Sequence, residues 1–273
     1  MAYQVTLSLR YPKFHEFLIA FGIVSIILWS FVLAGCTSSS GLRNVYLFAL
    51  SYEKDSSVTE SDPLLTNKNI TQVLGSQISD SAEIIREVRV GYLAMCIAFR
   101  SGVWSCGTNV QQLAALVSSG DEDPLNLLRL AQRARTRILF YPLIIISLVL
   151  TFIVICIIAV GPHVLGREEY MSGDEEDSAT SRNITRYPAL VKSILPITIV
   201  IALFGFISAF WQHIGGAGAS TLTGLLTYDL VIARVGTTGI ALGWTAAGFS
   251  TILATGTILS HLSIRFLSNI EGV

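Results

Sequence analysis

Charge is scarce in this chain. Of its 273 residues only 14% are Asp, Glu, Lys or Arg, while 52% are hydrophobic. That leaves too little polar surface for an ordinary soluble domain. The net charge is −1, so there is no basic excess for nucleic acid, and no nucleic-acid partner is expected. Histidine is equally sparse: His15, His163, His213 and His261 are scattered. No HExxH, nucleophile elbow or phosphate-binding loop occurs. The sequence therefore predicts no enzyme, no metal centre and no cofactor. Two acidic runs, Asp174 to Ser181 and Asp121-Glu122-Asp123, lack the alternating ligand spacing of a calcium loop and read as solvated linkers.

Apolar runs are what the chain has instead. Four segments are long enough to cross a hydrocarbon core as helices: 17–35, 138–160, 190–211 and 240–262. Pro142 and Pro196 fall in first turns, where proline is tolerated. The first run ends in "LAGCTSSS" (Leu33 to Ser40) after Arg10 and Lys13, the form of a bacterial lipoprotein signal. Its length and the three later spans favour a retained span. The spans divide the chain into an N-terminus (1–16), a long loop (36–137), an acidic loop (161–189), a further loop (212–239) and a C-terminus (263–273). Arg10, Lys13, Arg167, Arg182, Arg186, Lys192 and Arg265 fall on the side of the termini, against Arg234 in the other short loop. Positive charge in short loops marks the cytoplasm, so 36–137 and 212–239 are predicted to be extracellular. Arg129, Arg133, Arg135 and Arg137 oppose this, although a long translocated loop tolerates such charge.

An extracellular loop is oxidising, and two of the four cysteines lie in "GYLAMCIAFRSGVWSC" (Gly91 to Cys106). A three-residue hairpin turn Arg100-Ser101-Gly102, with glycine in the position that needs a left-handed residue, sets Cys96 opposite Cys106. Directly opposite residues lie within disulfide range. The alternative is two unrelated thiols. "NVYLFALSY" (Asn44 to Tyr52) and "EVRVGYLAMCIAF" are strand-like. Asn69-Ile70-Thr71 is a sequon, so Asn69 is a predicted N-glycosylation site. A helix is predicted from Asp123 as cap and Pro124 as first residue, running on into the second span. On it Arg129, Arg133 and Arg137 line one face, suited to lipid headgroups or to snorkelling. The fold expected is an all-α transmembrane four-helix bundle with a small extracellular β-rich lobe.

The spans carry no ionisable residue at mid-depth, which disfavours a pore built by this chain. Gly236, Gly239, Gly243 and Ala247 form a small-residue stripe. It predicts close packing of the fourth span against the third or first, or self-association into a homo-oligomer.

The order of these motifs is similar to that of the fungal mating-induced calcium regulator and membrane-fusion family. The motifs are "LAGCTSSS", then "NVYLFALSY", then "VGYLAMCIAFRSGVWSC". That family is claudin-like, and the motif residues carried over are Gly91, Tyr92, Cys96 and Cys106. A second glycine often stands where this chain has Ala94. Claudins proper carry tryptophans before the first cysteine, whereas Trp104 lies between the two here. The resemblance implies a multi-pass plasma-membrane protein at cell contact sites. It would regulate low-affinity calcium influx and cell fusion in mating, with a calcium channel or fusion-machinery proteins as partners. The rival reading is a structural adhesion or scaffold protein with no calcium role.

Overall fold

A computed structural model describes residues 2–38, 41–52, 85–117, 126–171, 179–227 and 231–271. Their elements are α1 (Ala2–Leu33), β1 (Phe48–Tyr52), β2 (Ile85–Val90), β3 (Met95–Phe99), β4 (Trp104–Gly107), α2 (Val110–Leu116), α3 (Leu127–Ile138), α4 (Pro142–Met171), α5 (Ala179–Thr227), β5 (Val231–Val235) and α6 (Thr237–Glu271). The chain is mostly helical, with one small sheet. Four helices hold stretches long and apolar enough to cross a membrane: Phe14–Leu33, Pro142–Val160, Ile194–Thr223 and Thr237–Ser263.

The chain divides into two compact units. One comprises residues 1–29, 142–208 and 244–273. Val154, Ile158, Ile194 and Ile201 form a buried cluster there. Small residues let its helices approach closely. A side chain at Gly22 would run into Ile155, and Gly205 lies against Ala247 and Ser250. Ser25 Oγ lies 2.9 Å from Ser250 Oγ and donates to the Ala246 carbonyl at 3.2 Å, an interhelical hydrogen bond in an apolar setting. Phe206 meets Trp244 edge to face at 5.6 Å.

The other unit comprises residues 30–141 and 209–243. It holds a five-stranded sheet of order β4-β3-β2-β1-β5, antiparallel throughout. Strand β5 comes from the segment between the third and fourth spans and pairs with β1 from Phe48↔Val235 to Tyr52↔Val231. The sheet core is Phe48, Leu50, Ile85, Val88, Met95 and Ile97, all fully buried.

Several expectations are corrected here. The segment 161–189, read as a loop, is largely helical: α4 continues to Met171 and α5 begins at Ala179. Segment 212–239 is not a plain loop either. Helix α5 runs through Gly215 to Ser220 as far as Thr227, and β5 follows. The glycines there do not end the helix; within it the hydroxyls of Ser220, Thr221 and Thr223 bond back to carbonyls of the preceding turn. The strand-like run 87–99 is two strands, turned by 91–94. Helix α3 does not run on into the second span. It stops at Ile138, Leu139 is extended, and Pro142 starts α4 afresh. A proline disfavours helix at the residue before it, and Tyr141 precedes Pro142. Asn69, Asp121 to Asp123 and Pro124 lie outside the described residues.

Candidate functional site

The hairpin β3–β4 turns through Arg100, Ser101 and Gly102. Gly102 has φ +85°, in the left-handed region that glycine enters without strain. Phe99 N–H donates to the Val103 carbonyl at 3.0 Å, and Gly102 N–H to Phe99 at 3.0 Å. Alternation from that bonded pair makes Cys96↔Cys106 a non-hydrogen-bonded pair, where side chains stand closest. Their Cα atoms are 4.0 Å apart and the two sulfurs are joined in a disulfide.

A second layer packs against this staple. Cys36 and Ala94 are fully buried with Cys96, and Tyr46, Trp104 and Cys106 pack around them. Cys36 sits just after α1 with φ 64°, an uncommon left-handed position for a non-glycine residue. Its N–H donates to Leu42 at 3.0 Å, and its carbonyl oxygen lies 3.4 Å from Cys96 Sγ. A Cβ on Gly91 would collide with the Gly35 carbonyl, and one on Gly35 with the Val45 carbonyl. Three backbone segments, at Gly35, Val45 and Gly91, therefore meet at contact distance, and only glycine fits at positions 35 and 91. Tyr92 is buried beside Gly91, and burial pushes its phenol well above the usual tyrosine range, so it stays neutral.

Charge is tied down around this knot. Arg89 lies 4.3 Å from the Trp104 ring centre and 4.8 Å from that of Tyr46. Its Nε donates to Glu87 at 2.8 Å, and its Nη1 to the Arg43 carbonyl at 3.1 Å and Asn44 Oδ1 at 2.9 Å. Arg135, on α3, donates to the carbonyls of Tyr92 at 3.1 Å and Leu93 at 2.8 Å. Burial lowers the Arg135 pKa, and the two carbonyl acceptors supply part of the solvation it loses. Cys96, Cys106, Gly91, Tyr92 and the turn 100–102 thus belong to one lobe, with α3 clamped to it by Arg135.

The small-residue stripe divides. Gly236 and Gly239 face the backbone of Tyr46 first, and Gly239 also meets the Gln212 side chain of α5. They admit the segment that leads into β1, because the chain between β5 and α6 must pass it at contact distance; Gly236 N–H donates to the Leu47 carbonyl at 2.8 Å. Gly243 faces Gln212 of α5, and Ala247 lies near Gly205 of the same helix. No group of three or more His, Cys, Asp or Glu able to hold a metal occurs among the described residues.

Two features had no structural role assigned from the sequence. Gly35 and Cys36 stood as part of "LAGCTSSS", signal-like and shared with the family motif order, and the crowding of Gly35, Cys36 and Gly91 needs the folded chain to be seen. Gln212 fell just past the expected end of the third span. It is buried within the stretch Ile194–Thr223, and neither its Oε1 nor its Nε2 has a hydrogen-bond partner among the described residues.

A family model described as "Ca2+ regulator and membrane fusion protein Fig1" matches residues 74–263. The chain belongs to the Fig1 family. The match covers the stapled hairpin, α3 and the second, third and fourth spans, and it begins after Cys36 and β1. No curated protein matches the chain.

Proposed function

We propose that this Fig1-family chain is a claudin-like plasma-membrane protein that regulates low-affinity calcium influx and membrane fusion during fungal mating, without enzymatic chemistry of its own. The observation that carries the reading is the family match over 74–263, because the family's description names both calcium regulation and membrane fusion. The stapled sheet supports a lobe exposed in an oxidising compartment at cell contact. The buried polar side chains described within the four candidate spans are hydroxyls and one amide: Ser25, Ser147, Thr151, Thr198, Ser208, Gln212, Ser250 and Thr257. Without a ring of carboxylates there is little to select calcium, so the chain acts on a plasma-membrane calcium channel or on fusion-machinery proteins, alone or as a homo-oligomer.

The test is complementation. Mating cells lacking the gene should show reduced calcium uptake and reduced fusion, both restored by the wild-type chain. Cys106→Ser at equal surface abundance should restore them less. Normal calcium uptake with defective adhesion would instead assign the structural contact role.

A further inference from the structure

Helix α3 carries a row of arginines that the lobe does not use. Leu127, Leu128 and Ala131 are buried, and Arg135 is spent on the carbonyls of Tyr92 and Leu93. Arg129, Arg133 and Arg137 are exposed, as are Gln132 and Thr136 between them. At four-residue spacing the three guanidiniums step about 6 Å along one face, roughly 12 Å in all. The only salt bridge among the described residues joins Arg89 to Glu87, so no described carboxylate neutralises the row. The helix ends at Ile138, and after three intervening residues Pro142 begins the stretch Pro142–Val160 that is apolar enough to cross a bilayer. Phe140 and Tyr141, 52% and 44% exposed, fill the gap. Tyrosine is enriched at membrane–water interfaces, and Tyr141 stands directly before the apolar stretch.

We propose that this face of α3 binds the phosphate headgroups of anionic phospholipids in the bilayer that holds the chain. Charge complementarity carries the proposal: three cations that no described carboxylate neutralises share one helical face, 3 to 11 residues before Phe140. Guanidinium forks match phosphate oxygens in geometry as well as charge. The lobe is fixed to α3 through Arg135, so lipid bound on the opposite face would set the height of the disulfide-stapled sheet over the membrane surface.

The experiment uses the full chain in nanodiscs of phosphatidylcholine, with trace spin-labelled phosphatidylserine or phosphatidylcholine. Wild type should select phosphatidylserine, and the preference should weaken as salt rises. Arg129→Gln/Arg133→Gln/Arg137→Gln should lose most of it. The triple lysine variant should keep much of it, and retention of the Cys96–Cys106 bond by mass spectrometry checks that each variant is folded. Undiminished selectivity in a folded triple glutamine variant would overturn the proposal. So would a wild type that shows no preference and gains one only on Asp121→Asn/Glu122→Gln/Asp123→Asn, since the face would then be covered by that acidic segment.

Discussion

A free thiol packed beside a disulfide invites exchange, and Cys36 is such a thiol. Exchange proceeds through the thiolate. Burial pushes the Cys36 thiol up to about 12 from 9.0, only partly offset by the charges of Arg89 and Arg135. Its thiolate fraction near neutral pH is therefore roughly a thousandfold below that of an ordinary cysteine, and the staple is not attacked. The raised pKa also fixes a sign. The folded state holds the proton more tightly, so this contribution to stability is complete below pH 9 and is lost as pH rises toward 12. In native protein at pH 8, a soluble maleimide should leave Cys36 unlabelled over the time in which it labels free cysteine, and denaturation should expose it. Rapid native labelling would contradict its burial. Gly91 gives the second residue-scale prediction. Gly91→Ala places a methyl against the Gly35 carbonyl, which is backbone and cannot rotate away. The loss should be about 1–3 kcal/mol, read as a lower Tm of the detergent-purified protein, whereas Gly218→Ala, with open space around it, should leave Tm nearly unchanged.

The hairpin is the element whose geometry was legible in advance, and the reason is local. A three-residue turn with glycine in the left-handed position sets a register by counting alone. Ala98↔Trp104, Ile97↔Ser105 and Cys96↔Cys106 follow without knowledge of the rest of the chain. Closing an 11-residue loop constrains the unfolded chain by roughly 2–3 kcal/mol. Cys106→Ser should lower the unfolding free energy by about that amount, and Cys96→Ala/Cys106→Ser by nearly the same, since a single bond is at stake. A double variant that loses twice as much would show that the cysteines act separately. The apolar runs of the spans were legible too, because length and composition suffice to find them. Strand β5 was not. Val231 to Val235 is a short run after a long helix, and its partner β1 lies about 180 residues earlier, a pairing that no local pattern announces. The break before Pro142 was missed because an amphipathic helix followed by an apolar one reads as continuous. The roles of Gly35, Gly236 and Gly239 were hidden for another reason. Each admits a backbone segment distant in sequence, whereas helical spacing suggests only helix–helix contact.

At the scale of the whole molecule, the sheet constrains how the chain crosses the membrane. Strands β1 to β4 come from the segment between the first and second spans, and β5 from the segment between the third and fourth. They are hydrogen-bonded in one sheet, so both segments must lie on the same face of the bilayer. The chain leaves that face through the second span and must return through the third. The termini and the segment 161–193 then share the opposite face. We propose that the first face is the one exposed to an oxidising compartment, on the grounds of the disulfide in the same sheet and of the short-loop charges, with Arg234 alone against seven basic residues. Two sequons lie on opposite sides of this division. Asn69 stands in the segment that contributes β1 to β4, and Asn183 lies near the start of α5, before the apolar stretch that begins at Ile194. Asn69 should therefore carry a glycan in a eukaryotic host and Asn183 none. Asn69→Gln should abolish the endoglycosidase-sensitive mobility shift and Asn183→Gln should leave it unchanged. Loss of the shift with Asn183→Gln alone would invert the orientation. Glycans at both sites would break the alternation that a single sheet from two loops demands.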